Sequence, residues 1–205
     1  MTLTGILGGT FNPPHVGHLI CAQEALSELG LDRVLLMPVH TPPHKPAQAD
    51  PGIEHRVELC RRATAGDPRL EVSRVEADRP GPSFTVDTLR VLHDLANPGD
   101  QLTFIVGGDQ AHGFPGWREP EAILELAELA VAEREGVDHG AVIERLAGLR
   151  GVPERVRFFA MPRLDVSSSL IRGRVAEGRT LRWLVPDDVV AYIDEAGLYR
   201  SEARA

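Results

Sequence analysis

Thr4-Gly5-Ile6-Leu7-Gly8-Gly9-Thr10-Phe11-Asn12-Pro13-Pro14-His15-Val16-Gly17-His18 decides the fold of this chain. Residues 4 to 8 are a short apolar run ending in glycine, which reads as a buried strand entering a tight turn. From Val16 to Leu29 the apolar residues Leu19, Ala22, Leu26 and Leu29 recur at helical spacing, and Gly30 supplies a stop. Strand, turn and helix make one βα unit. Gly8 and Gly9 are expected to allow backbone angles and a close approach that a side chain would forbid, so that successive N–H groups turn toward an anion. Pro13 and Pro14 stiffen the path into the helix. His15 and His18, three apart at the helix start, share a face near the positive end of its dipole, with Gly17 leaving space between them. The pattern outlines a phosphate cradle. It is neither the P-loop nor the Gly-x-Gly-x-x-Gly dinucleotide fingerprint, because neither spacing occurs in this turn.

Outward from this unit the same alternation continues. Strands are expected at Val34 to Met37, Leu70 to Val75, Leu102 to Val106, Ala130 to Ala132 and Val156 to Ala160. Helices are expected near His55 to Ala65, Thr85 to Ala96, Glu119 to Leu129 and Gly140 to Leu149, with two or three short ones at the end. The segment from Pro38 to Gly52 is too proline-dense for regular structure and reads as a mobile loop. Alternating strands and helices imply an α/β fold: a single-domain, Rossmann-like, doubly wound and mostly parallel sheet with helices on both faces. Its crevice should lie beyond the carboxyl ends of the strands, where Gly8 to His18, Pro38 to Lys45 and Gly107 to Asp109 all fall.

Composition narrows the partners. A chain of 205 residues with 42% hydrophobic content suits one compact domain, taken here as residues 1 to 205. The net charge of -8 argues against contact with a nucleic-acid backbone, which needs an excess of Lys and Arg. Cys21 and Cys60 form no Cys-x-x-Cys pair, and no apolar run reaches the length of a membrane span. A cytoplasmic protein without nucleic-acid or membrane partners is expected; a homo-oligomer stays open.

The run Gly8 to His18 resembles the signature of the nucleotidyltransferase superfamily that includes nicotinate-mononucleotide and pantetheine-phosphate adenylyltransferases. Val166-Ser167-Ser168-Ser169-Leu170-Ile171-Arg172 looks like that superfamily's Ile-Ser-Ser-Thr-x-Ile-Arg motif. Independently of the name, serines at a helix start cap it, and an arginine one turn on can fork two donors onto phosphate oxygens. Gly81-Pro82-Ser83-Phe84-Thr85-Val86-Asp87-Thr88-Leu89 resembles a segment of bacterial nicotinate-nucleotide adenylyltransferases, with Phe84 replacing the usual Tyr.

This resemblance implies transfer of an adenylyl group from ATP to nicotinate mononucleotide, with Mg²⁺ carried by the nucleotide rather than by protein ligands. It implies an ATP site at Gly8, Gly9, Thr10, Phe11, His15, His18, Ser167, Ser168 and Arg172. The mononucleotide would meet Asn12, Lys45, Thr85, Asp109, Trp117 and Arg134, with Thr85 at the pyridine carboxylate and Trp117 stacked on the ring. His15, His18, Lys45 and Arg172 would promote the reaction. The residues also have ordinary readings: Thr85 as a capping threonine, Trp117 as a core side chain, Asp109 as a turn aspartate. A nicotinamide-mononucleotide or pantetheine-phosphate adenylyltransferase and a non-catalytic nucleotide-binding module remain as alternatives.

Overall fold

The computed structural model describes residues 1–42, 49–133 and 139–200. Strands β1 (Leu3–Gly9), β2 (Arg33–Pro38), β3 (Leu70–Val72), β4 (Gln101–Gly107), β5 (Glu128–Glu133) and β6 (Val156–Ala160) form one sheet in the order β3-β2-β1-β4-β5-β6. Every pairing is parallel. The helices are α1 (Val16–Leu29), α2 (Ile53–Thr64), α3 (Thr85–Leu95), α4 (Gly108–Gly113), α5 (Pro120–Leu126), α6 (His139–Leu146), α7 (Ser168–Ala176) and α8 (Asp187–Glu195).

Successive strand residues point to opposite faces, and two cores follow from that period. Ile6, Leu35, Phe104 and Leu129 belong to one cluster, which also holds Val86 and Leu89 of α3 and Val142 of α6. Their neighbours Leu7, Leu36, Ile105 and Ala130 belong to the other, with Ala22, Ala25 and Leu26 of α1 and Cys60 of α2. The fold is therefore the doubly wound α/β sheet that the alternation implies. A third cluster joins Leu59 and Ala63 of α2 to Ile171 of α7 and to Val189 and Ile193 of α8, with Leu19 of α1 against it. The order reverses between β1 and β4, so the crevice opens beside Gly9 and Gly107. Among the described residues no helix is long and apolar enough to cross a membrane.

Three local expectations change. Glu128 and Leu129 join β5 rather than the preceding helix, because they pair with Thr103 and Phe104 of β4. The third strand stops at Val72 instead of Val75, since it is an edge strand paired only along Val34 to Leu36. Gly8 and Gly9 remain in the sheet opposite Met37 and Pro38, so the turn begins only at Thr10. Neither glycine has a positive φ; that angle falls on Phe11, at 47°. Gly9 is needed for space instead: a Cβ there would stand 3.1 Å from the Phe11 ring, which is buried in the second cluster.

Candidate active site

The turn after β1 is stitched to the C-terminal helices. The carbonyl of Asn12 accepts a hydrogen bond from Arg172 Nη1 at 2.8 Å, and the carbonyl of Pro13 accepts one from Ser168 Oγ at 2.8 Å. Arg172 also donates to Ser169 Oγ at 3.1 Å. Ser167 caps α7 by accepting from the Leu170 N–H. The Asn12 side chain is buried; its Oδ1 accepts from the Tyr199 hydroxyl at 2.7 Å, and its Nδ2 donates to the Ala49 carbonyl. Burial pushes the Tyr199 hydroxyl above its ordinary value, which keeps it a donor.

His15 is buried and His18 half-buried, with ring centroids 3.8 Å apart. The His15 N–H donates to His18 Nδ1 at 3.2 Å, so a neutral His18 ring carries its proton on Nε2. A Cβ on Gly17 would come within 3.1 Å of the His15 ring, so its missing side chain does leave the space expected of it. One part of the helix-end reading changes. The Val16 N–H is taken by the Leu184 carbonyl at 3.0 Å and is not available to a ligand.

A cavity of about 430 Å³ opens on the other side of β1, between Gly8, Gly9 and Thr10 and the pair Thr85 and Trp117. Thr85 is the first residue of α3. Trp117 is half-buried. It packs edge-on against Phe104, with centroids 5.9 Å apart, and tilted against Phe114, while also lining the cavity. Asp109 is exposed in the first turn of α4 and is not part of the cavity wall among the described residues. Lys45 and Arg134 lie outside the described residues.

Two charged residues that the sequence reading passed over are buried around this cavity. Glu76 forms part of its wall although only 5% exposed. Its Oε1 accepts from Thr88 Oγ1 at 2.7 Å, and that hydroxyl in turn accepts from Arg79 Nη2 at 2.7 Å. Burial pushes the Glu76 carboxyl up, against the opposing pull of Thr88, Arg79 and Ser83. Arg56 of α2 is 1% exposed, and its guanidinium reaches the carbonyls of Thr10, Val39 and His40 as well as the Asp50 carboxylate. Neither residue sits in a recognisable motif. The available signal for Arg56 was its place on the apolar face of α2, beside Val57, Leu59 and Cys60.

The model of the cytidylyltransferase-like family matches residues 6–174, which puts the chain in the class of nucleotidyltransferases. A relative from Roseiflexus sp. (strain RS-1), described as a probable nicotinate-nucleotide adenylyltransferase, is 46% identical over 96% of this chain and 97% of its own. One from Thermomicrobium roseum, with the same description, is 43% identical over 98% of this chain and 93% of its own. With these matches the chain belongs to the nicotinate-nucleotide adenylyltransferase family within the cytidylyltransferase-like proteins. The fold is shared more widely. A Plasmodium falciparum nicotinic acid mononucleotide adenylyltransferase complexed with NaAD superposes with a TM-score of 0.77 at 16% identity, covering 97% of this chain and 98% of that one.

Proposed function

We propose that this protein transfers the adenylyl group of ATP to nicotinate mononucleotide, forming nicotinate adenine dinucleotide and pyrophosphate. A phosphate oxygen of the mononucleotide bonds to the α-phosphorus of ATP as the bond from that phosphorus to the bridging oxygen of the β-phosphate breaks. Pyrophosphate carries that electron pair away. The nucleophile is already an anion, so no protein nucleophile is needed. Catalysis rests on aligning two phosphates that repel each other and on donors that meet developing charge. The observation that carries this reading is the stretch Gly8, Gly9 and Thr10, which bounds the cavity with Thr85 and Trp117 and runs on into the turn that Arg172 holds at Asn12 and that leads to His15 and His18.

In this reading His15, His18, Lys45 and Arg172 serve the phosphates, with Gly8, Gly9, Thr10, Phe11, Ser167 and Ser168 shaping the ATP end. Asn12, Thr85, Trp117, Asp109 and Arg134 serve the mononucleotide. Arg172 would have to share its guanidinium between the Asn12 carbonyl and a phosphate, which its remaining N–H groups allow. Mg²⁺ belongs to the proposal as the companion of the triphosphate. A cation of this kind is hard and keeps several waters, so substrate phosphate oxygens would supply most of its other ligands. Bound there, it would offset phosphate charge. A single domain working in the cytoplasm on small molecules, alone or as a homo-oligomer, completes the reading.

The test is pyrophosphate release with ATP and, in parallel, nicotinate mononucleotide, nicotinamide mononucleotide and phosphopantetheine. Release with the nicotinate compound at the highest kcat/KM is expected. A flat response to all three would leave only a nucleotide-binding module.

A further inference from the structure

Arg56 is not among the residues lining the cavity, but two of the residues whose carbonyls it holds, Thr10 and Val39, are. Nη1 donates to the Thr10 carbonyl at 3.1 Å and the Val39 carbonyl at 2.6 Å, and Nη2 donates to the His40 carbonyl at 3.1 Å. Nε donates to Asp50 Oδ1 at 2.9 Å, and the same oxygen accepts from the Gly52 N–H that precedes α2. Thr10 and Val39 both line the cavity.

Carbonyl dipoles from two separate chain segments converge here, and without a cation between them they would repel each other. A planar fork with five N–H donors meets them in one plane, which a single ammonium cannot do. The segment from Val39 to Thr41 is gripped from its other side too. The Val39 N–H donates to the Gly9 carbonyl at 3.0 Å. The His40 N–H donates to Ser83 Oγ at 3.2 Å, and the Ser83 N–H donates to the Thr41 carbonyl at 3.0 Å. Ser83 stands two residues before Thr85 on the same wall. A polar chain with Arg56 and Ser83 as its buried members thus runs from Thr10 through Arg56 and residues 39 to 41 to Ser83, linking the turn after β1 to the start of α3.

We infer that Arg56 is a positioning residue for the transfer reaction: it sets the spacing between the Gly8–Thr10 wall and the Val39–Ser83 wall, and so the alignment of one substrate against the other. The inference rests on the adenylyl-transfer reading. A group that only supported the fold would affect melting and leave turnover of the folded protein unchanged. A spacing device affects kcat, because displacement of about 1 Å far from the chemistry costs roughly 10² in rate.

The experiment compares the unaltered chain with Arg56→Lys, which keeps charge and stem but not the fork. It reads pyrophosphate release, the dissociation constant of each substrate alone, and thermal melting. At a temperature where circular dichroism finds Arg56→Lys folded, kcat is expected to drop about 10² while each dissociation constant stays within about threefold. A folded Arg56→Lys with kcat within about threefold of the unaltered chain would overturn the inference. If Arg56→Lys fails to fold, Asp50→Asn decides, because Asp50 is 28% exposed and loses only the counter-charge. An approximately tenfold loss of kcat is expected there, and unchanged kcat overturns the inference. Failure of the unaltered chain to release pyrophosphate would overturn the adenylyl-transfer reading itself, and this inference with it.

Discussion

The two ends of the crevice are built in different ways. At the histidine end the turn from Thr10 to His15 is held by donors from elsewhere in the chain: Arg172 and Ser168 of α7, Tyr199, and Arg56 of α2. At the cavity end Trp117 packs on Phe104 and Phe114, and Thr85 opens α3, whose Val86 and Leu89 lie in the core, with the hydrogen bonds of Ser83 and Glu76 beside them. A loop that carries buried backbone carbonyls has to satisfy each of them. A helix start packed on a sheet has fewer to satisfy. The polar end should therefore govern rate through geometry, and the apolar end should govern affinity through contact area.

The largest test of this contrast is His18→Ala. Turnover with ATP and nicotinate mononucleotide should fall about 10² or more, the scale of losing one transition-state donor, with little change in KM for the mononucleotide. Near-normal turnover would remove His18 from the reaction. Next comes Trp117→Leu, where the expected change is in KM for the mononucleotide, up by about tenfold for the loss of a stacking face, with kcat largely kept. Steady-state kinetics distinguish the two, and a kcat defect of His18→Ala size in Trp117→Leu would abolish the division between the ends.

Tyr199→Phe removes one part-buried hydrogen bond to Asn12 and should cost about 1 kcal/mol in denaturant unfolding. If activity survives the loss, the tie from the C-terminus is stabilising rather than aligning. The smallest effect concerns Glu76. Its folded-state carboxyl is raised above the ordinary 4.5, so the folded chain keeps a proton that the unfolded chain has released. That contribution is fully present at pH below the ordinary value and is lost as pH rises through the raised one. The melting temperature of Glu76→Gln should therefore gain on that of the unaltered chain as pH climbs from about 4.5 upward, by a few degrees at most. Parallel curves would mean that Glu76 does not titrate in this window.

Much of the candidate site could be outlined from the sequence because its residues sit in contiguous motifs. Gly8 to His18 runs from the end of β1 through one turn into α1, and Ser167 to Arg172 is the cap and first turn of α7, so local spacing carries the meaning. What local spacing could not carry was which group satisfies which. Arg56 and Glu76 belong to no motif; their burial depends on segments brought to them from elsewhere in the chain. The glycines show the same limit. Gly8 and Gly9 were expected to give both unusual backbone angles and close approach, but the unusual angle belongs to Phe11, and Gly9 serves by leaving room for the Phe11 ring.

The sequence by itself determined the alternation of strands and helices, the placement of the motifs at strand ends and the family resemblance, because each is written in residues close together along the chain. Only the tertiary structure decided the strand order 3-2-1-4-5-6, the splitting of residues 119 to 129 between α5 and β5, and the seating of α7 on the Asn12 and Pro13 carbonyls. Those depend on pairing and hydrogen bonding between segments tens to more than a hundred residues apart. Their partners are selected by which buried polar groups need satisfying once the chain has folded.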